Sequence, residues 1–449
     1  MGAILRGNLS RAIDAKGTIL DLAEQAWAGE LYRDGAAHPV HSTLPQGEEI
    51  FDGVWVFEGM ASVNVLDTGD GLIMLDTGGQ PDAEAIFEQV RHWRPDAPLI
   101  GAVFSHHHID HIFGTELFDL EAERRGWPTP VVYGHAAVSE NLDRYRLTRG
   151  WNTVINRRQF VIDSPEFSWP SRFRYPDITY QESMTFRRGD LTFELRHGRG
   201  ETDDATWTWI PERKILHPGD LFIWAVPNAG NPQKVQRYAG DWAASLREMA
   251  AVGAEIMLPG HGLPIIGASR IHQALTDTAE LLESLESQTL DLMNAGAVLD
   301  TVLHEVRPPT HLLERPYLLP VYDDPQFLIR NIWRCYGGWY DGHPDNLLPA
   351  PRAEQAAEWV TLAGGADAVL DRAEELGAAG DLALACHLTE GALLADPDYS
   401  RVHRVRAEVF AARASEQTSS MARNILNHAA ASSRAGVRDL ASTTFELSD

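Results

Sequence analysis

Residues Phe104-Ser-His-His-His-Ile-Asp-His111 constrain this chain more than any other stretch. They place His106, His108, Asp110 and His111, four metal-capable side chains in six positions, directly after the apolar run PLIGAV. In an extended segment residues i and i+2 point to the same side, so His106 and His108 can grip one ion. The turn that follows swings Asp110 and His111 toward a second ion, and a merely solvated loop would have no reason to keep the Asp in this register. His107 points to the opposite face by the same alternation, so a structural role is expected for it.

The surroundings of the motif fit an α/β layered core. Short β-type runs broken by Gly and Asp (VWVFEG, SVNVLDT, GLIMLDTGG) precede it, with the helical segment PDAEAIFEQVRHW between the last of these and the motif strand. Strand and helix patterns continue through VVYGH, LTFELRH, ATWTWI, KILHPGD, DWAASLREMAAVG and EIMLPGH. After about residue 270 the chain becomes Leu-rich and helical, crosses a Pro-rich stretch at 307–325, and ends in an Ala-, Leu- and Glu-rich tail. Segments 367–381, 382–397 and 399–414 read as consecutive helices of stacked hairpins, broken at Gly380-Asp381 and Asp396-Pro397. The expected divisions are an N-terminal extension (1–45), an α/β domain carrying the motif (46–270), a helical and Pro-rich connector (271–320) and a helical domain (321–440).

Composition removes several classes of function. The 449 residues carry 38 Lys and Arg against 64 Asp and Glu, a formal charge of −26, which cannot supply the positive field that holds a phosphate backbone. Nucleic acid is therefore not an expected partner. No apolar run approaches the roughly 18 residues of a membrane span, and the N-terminal segment turns amphipathic and charged where a secretory signal would stay apolar. A cytoplasmic protein is expected. Cys335 and Cys386 lack the spacing of a redox pair or zinc ribbon and are expected as buried thiols.

The motif resembles the His-x-His-x-Asp-His signature of the metallo-β-lactamase fold superfamily, and further residues follow in that superfamily's order. These are Asp76 in LIMLDTG, Asp220 in LHPGDLF and His261 in MLPGHG, each ending a β-type run. The resemblance implies an αββα sandwich holding two divalent ions, with His106, His108, Asp110, His111 and His261 as ligands and Asp220 bridging. Asp110 and Asp220 would be catalytic carboxylates, and Asp76 would sit behind the ligands and orient them. Where the superfamily commonly has a His, this chain reads Gly200-Glu201-Thr202-Asp203-Asp204, which makes Glu201 the expected third ligand of the first metal and His197 its competitor. Mixed imidazole and carboxylate ligation suits Zn²⁺, with manganese and iron open by ligand type.

A carboxylate at that position resembles the alkylsulfatase branch. The segment RNIWRCYGGWYDGHPDNLLPAP (330–351) and the helices after it are similar to the alkylsulfatase dimerisation domain, in a form lacking the sterol-carrier-like domain that members often add. The resemblance implies a homodimer that cleaves a small-molecule alkyl sulfate ester with metal-bound hydroxide. Other readings are hydrolysis of a carboxylic ester, lactone or phosphate ester, and an iron-dependent oxidoreductase on the same fold. Three features depart from the branch: Asp220 stands where a Glu is usual, Pro259-Gly-His-Gly-Leu-Pro264 replaces a Ser-His-His-Trp-Pro type segment, and Pro227–Tyr238 replaces the sulfate-side segment.

An anionic substrate needs local cations in so acidic a protein. Lys234 and Arg237, between Asp220 and His261, are the expected ones, with Asn228 and Asn231 as neutral alternatives and Arg199, Arg330 and Arg334 as weaker choices. Trp224 and Trp151, expected in loops, could wall an apolar pocket, whereas the TWTW pattern puts Trp207 and Trp209 on one core-facing side of a strand. Residues 115–190 read as an insertion covering the site.

Overall fold

The computed structural model describes residues 18–31, 38–41, 44–164 and 166–442. Of the expected N-terminal extension, residues 1–17, 32–37 and 42–43 lie outside the described residues. The chain forms two compact units: one takes the residues up to Thr148 with Pro170–Gly338, the other Arg149–Trp169 with the residues from Trp339 on.

The first unit is built on two sheets. Strands β1 (Leu44–Phe51), β2 (Val54–Glu58), β3 (Ser62–Asp67), β4 (Leu72–Leu75), β5 (Leu99–Val103), β6 (Val131–His135) and β7 (Ile178–Tyr180) lie side by side in chain order. Pairing is antiparallel from β1 to β4 and parallel from β4 to β7. The second sheet holds β8 (Ser183–Arg188), β9 (Leu191–His197), β10 (Thr206–Ile210), β11 (Ile215–Ile223), β12 (Ile256–His261) and β13 (Ile265–Ile266), again in chain order. There β11 and β12 are the parallel pair.

The two-residue period of a strand sorts the first sheet's side chains into two cores. Trp55, Phe57, Val63, Val65, Leu72 and Met74 pack with Ile86 and Val90 of the helix Ala83–Trp93 on the outer face. Val54, Val56, Leu66, Ile73 and Leu75 alternate with them and enter the larger core that contains Phe193, Leu195, Trp207, Leu216 and Met257 of the second sheet. Trp242 and Leu246 of the helix Ala239–Ala251 and Leu275 and Leu282 of the helix Ala268–Asn294 join that core. At about 1.5–3 kcal/mol for each fully buried large apolar side chain, this double-sided burial dominates the stability of the unit. Mixed α/β sheets followed by a helical region are as the sequence led us to expect, and Trp207 and Trp209 are core residues.

The units divide the chain differently from the sequence boundaries. The helix Pro325–Gly337, started by Pro325 and capped by the Asp324 side chain, buries Leu328, Ile329, Ile332 and Trp333 in the first unit's main core. Cys335 lies on its outer face and is exposed, contrary to expectation, whereas Cys386 is buried. Trp151 is not in a loop: it is an exposed residue of the helix Arg149–Phe160 in the second unit. That unit's helices Arg352–Leu362, Ala366–Ala379, Leu382–Ala395, Ser400–Ser415 and Ser420–Arg434 follow the expected breaks. Gly380, at φ 89°, closes the second of them in the left-handed conformation. Val369, Leu370, Leu376, Leu393, Val402 and Val405 make its separate core.

Candidate metal centre

Strand β5 ends at Val103, and the motif leaves it as a series of bends rather than continuing extended. The bends still deliver the side chains in two sets. His106 and His108 converge with Glu201, from the loop between β9 and β10, and with Asp220 of β11, their ligand atoms all within 4.8 Å of one another. Asp110, His111 and His261, the last at the end of β12, form a second set on the same criterion. Asp220 stands between them: its Oδ2 lies 3.7 Å from His106 Nε2 and 3.3 Å from His261 Nε2, and its Oδ1 3.4 Å from His111 Nε2. The parallel pairing of β11 with β12 sets Asp220 beside the strand that carries His261, and Gly260 lets the two approach, since a Cβ there would fall 2.2 Å from Asp220 Oδ1.

Asp76 fixes these ligands from behind. It is fully buried just past β4 with φ +55°, a left-handed backbone that Asp tolerates better than most residues. Its carboxylate accepts from the Ser105 amide at 2.7 Å, the Ser105 hydroxyl at 2.8 Å and His111 Nδ1 at 2.8 Å, and lies 3.3 Å from His217 Nε2. With the proton of His111 drawn to Nδ1, Nε2 is left as the metal-facing nitrogen. His261 is oriented likewise, its Nδ1 2.6 Å from the Met60 carbonyl.

Buried polar atoms are normally paired. His106 Nε2, His111 Nε2 and Asp220 Oδ1 are buried without a hydrogen-bond partner, and the two nitrogens lie beside the shared Asp220, 3.7 Å from its Oδ2 and 3.4 Å from its Oδ1. Imidazole nitrogens and carboxylate oxygens in that arrangement suit divalent cations, which would displace the protons held there.

The electrostatics of the protein alone show what those cations would balance. Burial pushes His106 down to about 4, helped by His111, and burial with His106 and His107 holds His108 well below the usual histidine range. Burial would also lower His261, but Asp220 and Asp110 outweigh it and raise it to about 9. Burial pushes the Glu201 carboxyl up, Arg237 pulling against it and Asp220 adding to it. Protons thus hold the place of positive charge among the acidic groups.

The remaining residues singled out in the sequence distribute as follows. His197 stands apart from both sets: its ring stacks on His135 at 4.0 Å and its Nδ1 lies 3.0 Å from the Ala205 carbonyl. Arg237 is buried and turned onto Glu201, 2.7 Å from Oε1, and it also donates to the Asn228 carbonyl at 2.8 Å. Asn228 donates its amide to the same Glu201 oxygen. Lys234 is half-buried within electrostatic reach of Asp110 and Glu201, and burial and Arg237 bring it down to about 7. Trp224 is buried in the core, its indole donating to the Leu263 carbonyl at 2.6 Å. Asn231 is buried and accepts from the Gln233 amide, Arg199 pairs with Asp241 at the surface, Arg334 donates to Gln236, and Arg330 is exposed. Sequence reasoning missed Tyr322 and Tyr145, whose hydroxyls burial pushes up and whose surroundings include Asp110. Neither sits in a motif, and only the tertiary fold brings them near.

Comparison with known proteins agrees with this geometry. The metallo-β-lactamase superfamily matches residues 56–261, and a family described as alkyl sulfatase dimerisation matches residues 299–436. The chain carries a metallo-β-lactamase domain followed by an alkyl sulfatase dimerisation domain. It is 26% identical over 364 residues to a linear primary-alkylsulfatase of Pseudomonas sp., covering 77% of this chain and 69% of that protein. It is 27% identical over 402 residues to an (R)-specific secondary-alkylsulfatase of Pseudomonas sp., covering 84% of this chain and 60% of that one. The structure superposes on the stereoselective inverting sec-alkylsulfatase Pisa1 from Pseudomonas sp. with a TM-score of 0.81 at 21% identity, covering 97% of this chain and 77% of that chain. With the alkyl/aryl-sulfatase BDS1 of Saccharomyces cerevisiae, at 62%, the chain spans roughly three fifths to two thirds of the length of these curated relatives.

Proposed function

We propose that this chain is a metal-dependent hydrolase that cleaves alkyl sulfate esters. The observation that carries the reading is the pair of adjacent donor sets sharing Asp220, with unpartnered buried nitrogens lying beside it, in a chain whose relatives are alkylsulfatases. His106, His108 and Glu201 would hold one ion, Asp110, His111 and His261 a second, with Asp220 between them. Histidines with carboxylates favour Zn²⁺. Divalent ions so bound activate water at neutral pH and stabilise developing negative charge on an ester oxygen.

The chain's own groups do the rest. Asp76 keeps His111 in the tautomer that leaves Nε2 free to bind, and Arg237 and Asn228 hold Glu201 in place and offset its charge. Lys234, close enough to feel Asp110 and Glu201, would meet a sulfate headgroup as a donor whose charge is partial at neutral pH, since burial and Arg237 bring it down to about 7. No described helix is long and apolar enough to cross a membrane. A cytoplasmic setting is part of the proposal and suits two free thiols. So is a homodimer formed through the second unit, where Trp339, Leu348, Trp359 and Leu362 are exposed.

The test is product release from a matched panel of alkyl esters after metal loading. Inorganic sulfate from alkyl sulfates, with little acid or phosphate from the corresponding carboxylic and phosphate esters, supports the reading. Faster release from a carboxylic ester, lactone or phosphate ester replaces it.

A further inference from the structure

His107 lies between two of the proposed ligands but belongs to neither donor set, and the structure gives it a partner no motif announces. Its Nδ1 is 2.8 Å from Asp204 Oδ2, and both residues are almost completely buried. Asp204 stands three residues beyond Glu201, so this contact joins the loop carrying His106 and His108 directly to the loop carrying Glu201. On the other side of the ring, His107 Nε2 lies 3.5 Å from an Arg144 nitrogen, and the ring of Tyr145 is 4.9 Å away. Arg144 and Tyr145 belong to the helix Ala137–Leu147, between β6 and β7, so the segment 115–190 expected as an insertion supplies two strands of the first sheet. The same helix reaches the Glu201 loop a second time, through Asn141, whose amide donates to Asp203 Oδ1 at 2.8 Å. The arginine can only donate, so the partners assign the His107 proton to Nδ1 and leave Nε2 as acceptor.

We propose that His107 is a positioning residue: with Asp204 it ties together the two loops that supply the first donor set, and with Arg144 and Asn141 it fastens them to the helix Ala137–Leu147. The physical reason is that His106 and His108 come from one loop and Glu201 from another, and the main-chain link between them, the Thr206 amide to the Ser105 carbonyl at 2.7 Å, lies outside the ligand residues. A ligand set built that way binds an ion tightly only if its loops are held at the required separation before the ion arrives. In the second donor set Asp76 and the Met60 carbonyl hold His111 and His261; in the first, Asp76 reaches His106 through the Ser105 hydroxyl, 2.9 Å from His106 Nδ1, and the His107–Asp204 contact adds the link to the Glu201 loop. The helix Ala137–Leu147 therefore acts as a brace for one metal position.

The inference rests on the first donor set being a metal site, and the experiment separates the two. The full chain is compared with Asp204→Asn, His107→Ala, the double variant and Arg144→Met. Metal per chain is measured by elemental analysis, the affinity of each site by competition with a chromogenic chelator, and folding by thermal melts of the metal-free protein. Asp204→Asn and His107→Ala are each expected to weaken the first site by about 10–100-fold while the second holds its ion. The double variant should be no weaker than the weaker single one, because both break the same tie. Arg144→Met should move affinity the same way by less, and it carries the test with Asp204→Asn if His107→Ala does not fold. Unchanged affinities in folded variants overturn the inference, as does an equal loss at both sites accompanied by a fall in metal-free melting temperature. Wild-type protein that binds no ion at either site overturns the inference and the metal reading together.

Discussion

Asp76→Asn tests the orienting of the ligands most sharply, because the substitution changes charge and hydrogen-bond polarity and almost nothing else. Asn tolerates the left-handed φ of +55° at this position, so no backbone strain is added. The wild-type carboxylate accepts three hydrogen bonds, from the Ser105 amide, the Ser105 hydroxyl and His111 Nδ1. An amide oxygen can retain the Ser105 amide bond, but the amide nitrogen then points a donor at the Ser105 hydroxyl and at His111. The Ser105 hydroxyl can turn and accept from that amide, so the hydrogen bond lost outright is the one from His111 to a charged acceptor, at a cost of about 1.5–3 kcal/mol. At roughly 2 °C per kcal/mol for a large domain, the melting temperature of the metal-free protein should fall by roughly 3–6 °C. A donor facing Nδ1 also favours the opposite tautomer of His111, with the proton on Nε2 where an ion should bind. The ion of the Asp110, His111 and His261 set should therefore be lost first, and turnover should fall by at least about 10–100-fold. Differential scanning calorimetry and elemental analysis read both effects. Full metal content and wild-type turnover in a variant that melts within about 2 °C of wild type, on the order of one kcal/mol, would refute the reasoning.

Glu201→Gln should lose the ion of the first donor set preferentially and lower turnover by orders of magnitude, whereas His197→Ala should keep full metal content; the reverse result in elemental analysis reassigns the ligand. Gly260→Ala should displace the Asp220 carboxylate, because the new Cβ would fall 2.2 Å from its Oδ1, and metal affinity should drop at both sites together; unchanged affinity would mean that Asp220 is not shared. His261, raised from 6.5 to about 9 by Asp220 and Asp110 against the pull of burial, holds a proton that the unfolded chain gives up near 6.5. In the metal-free protein this contribution to stability is present below 6.5 and lost as the pH rises through 9, so the stabilisation gained on adding metal should grow across that window. A metal-induced rise in melting temperature that is flat from pH 6.5 to 9 would contradict this.

What the sequence made legible was whatever chemistry is local. Four donors in six residues at a strand end pointed to a metal centre, and Asp220 and His261 were expected from the resemblance to the superfamily, in whose order they fall. The alternation argument assumed an extended segment. The chain instead bends after Val103, yet His106 and His108 still share one donor set because the bends preserve their common side. Pairings between distant residues stayed hidden, His107 with Asp204 across 97 positions and Arg237 with the Glu201 carbonyl across 36, because no period or spacing encodes them.

Arg237 shows why such a partner is needed. The sequence reading assigned it to the substrate, on the ground that an acidic protein needs a cation for an anionic ligand. A carboxylate in place of an imidazole at position 201 adds a second buried negative charge beside Asp220, and an unpaired buried charge is far more costly than a paired one. The structure turns the nearest guanidinium onto that carboxylate at 2.7 Å, with Asn228 donating to the same oxygen. Glu201, Asn228 and Arg237 therefore operate as a unit, and a variant that exchanges Glu201 for His without altering Arg237 would leave a buried cation facing the metal position. It follows that Glu201→His alone should bind metal less well than wild type, even though it introduces a better-known ligand, and that adding Arg237→Leu should recover part of the loss. Affinity of the double variant at or below that of the single one, measured by chelator competition, would mean that Arg237 does not balance Glu201.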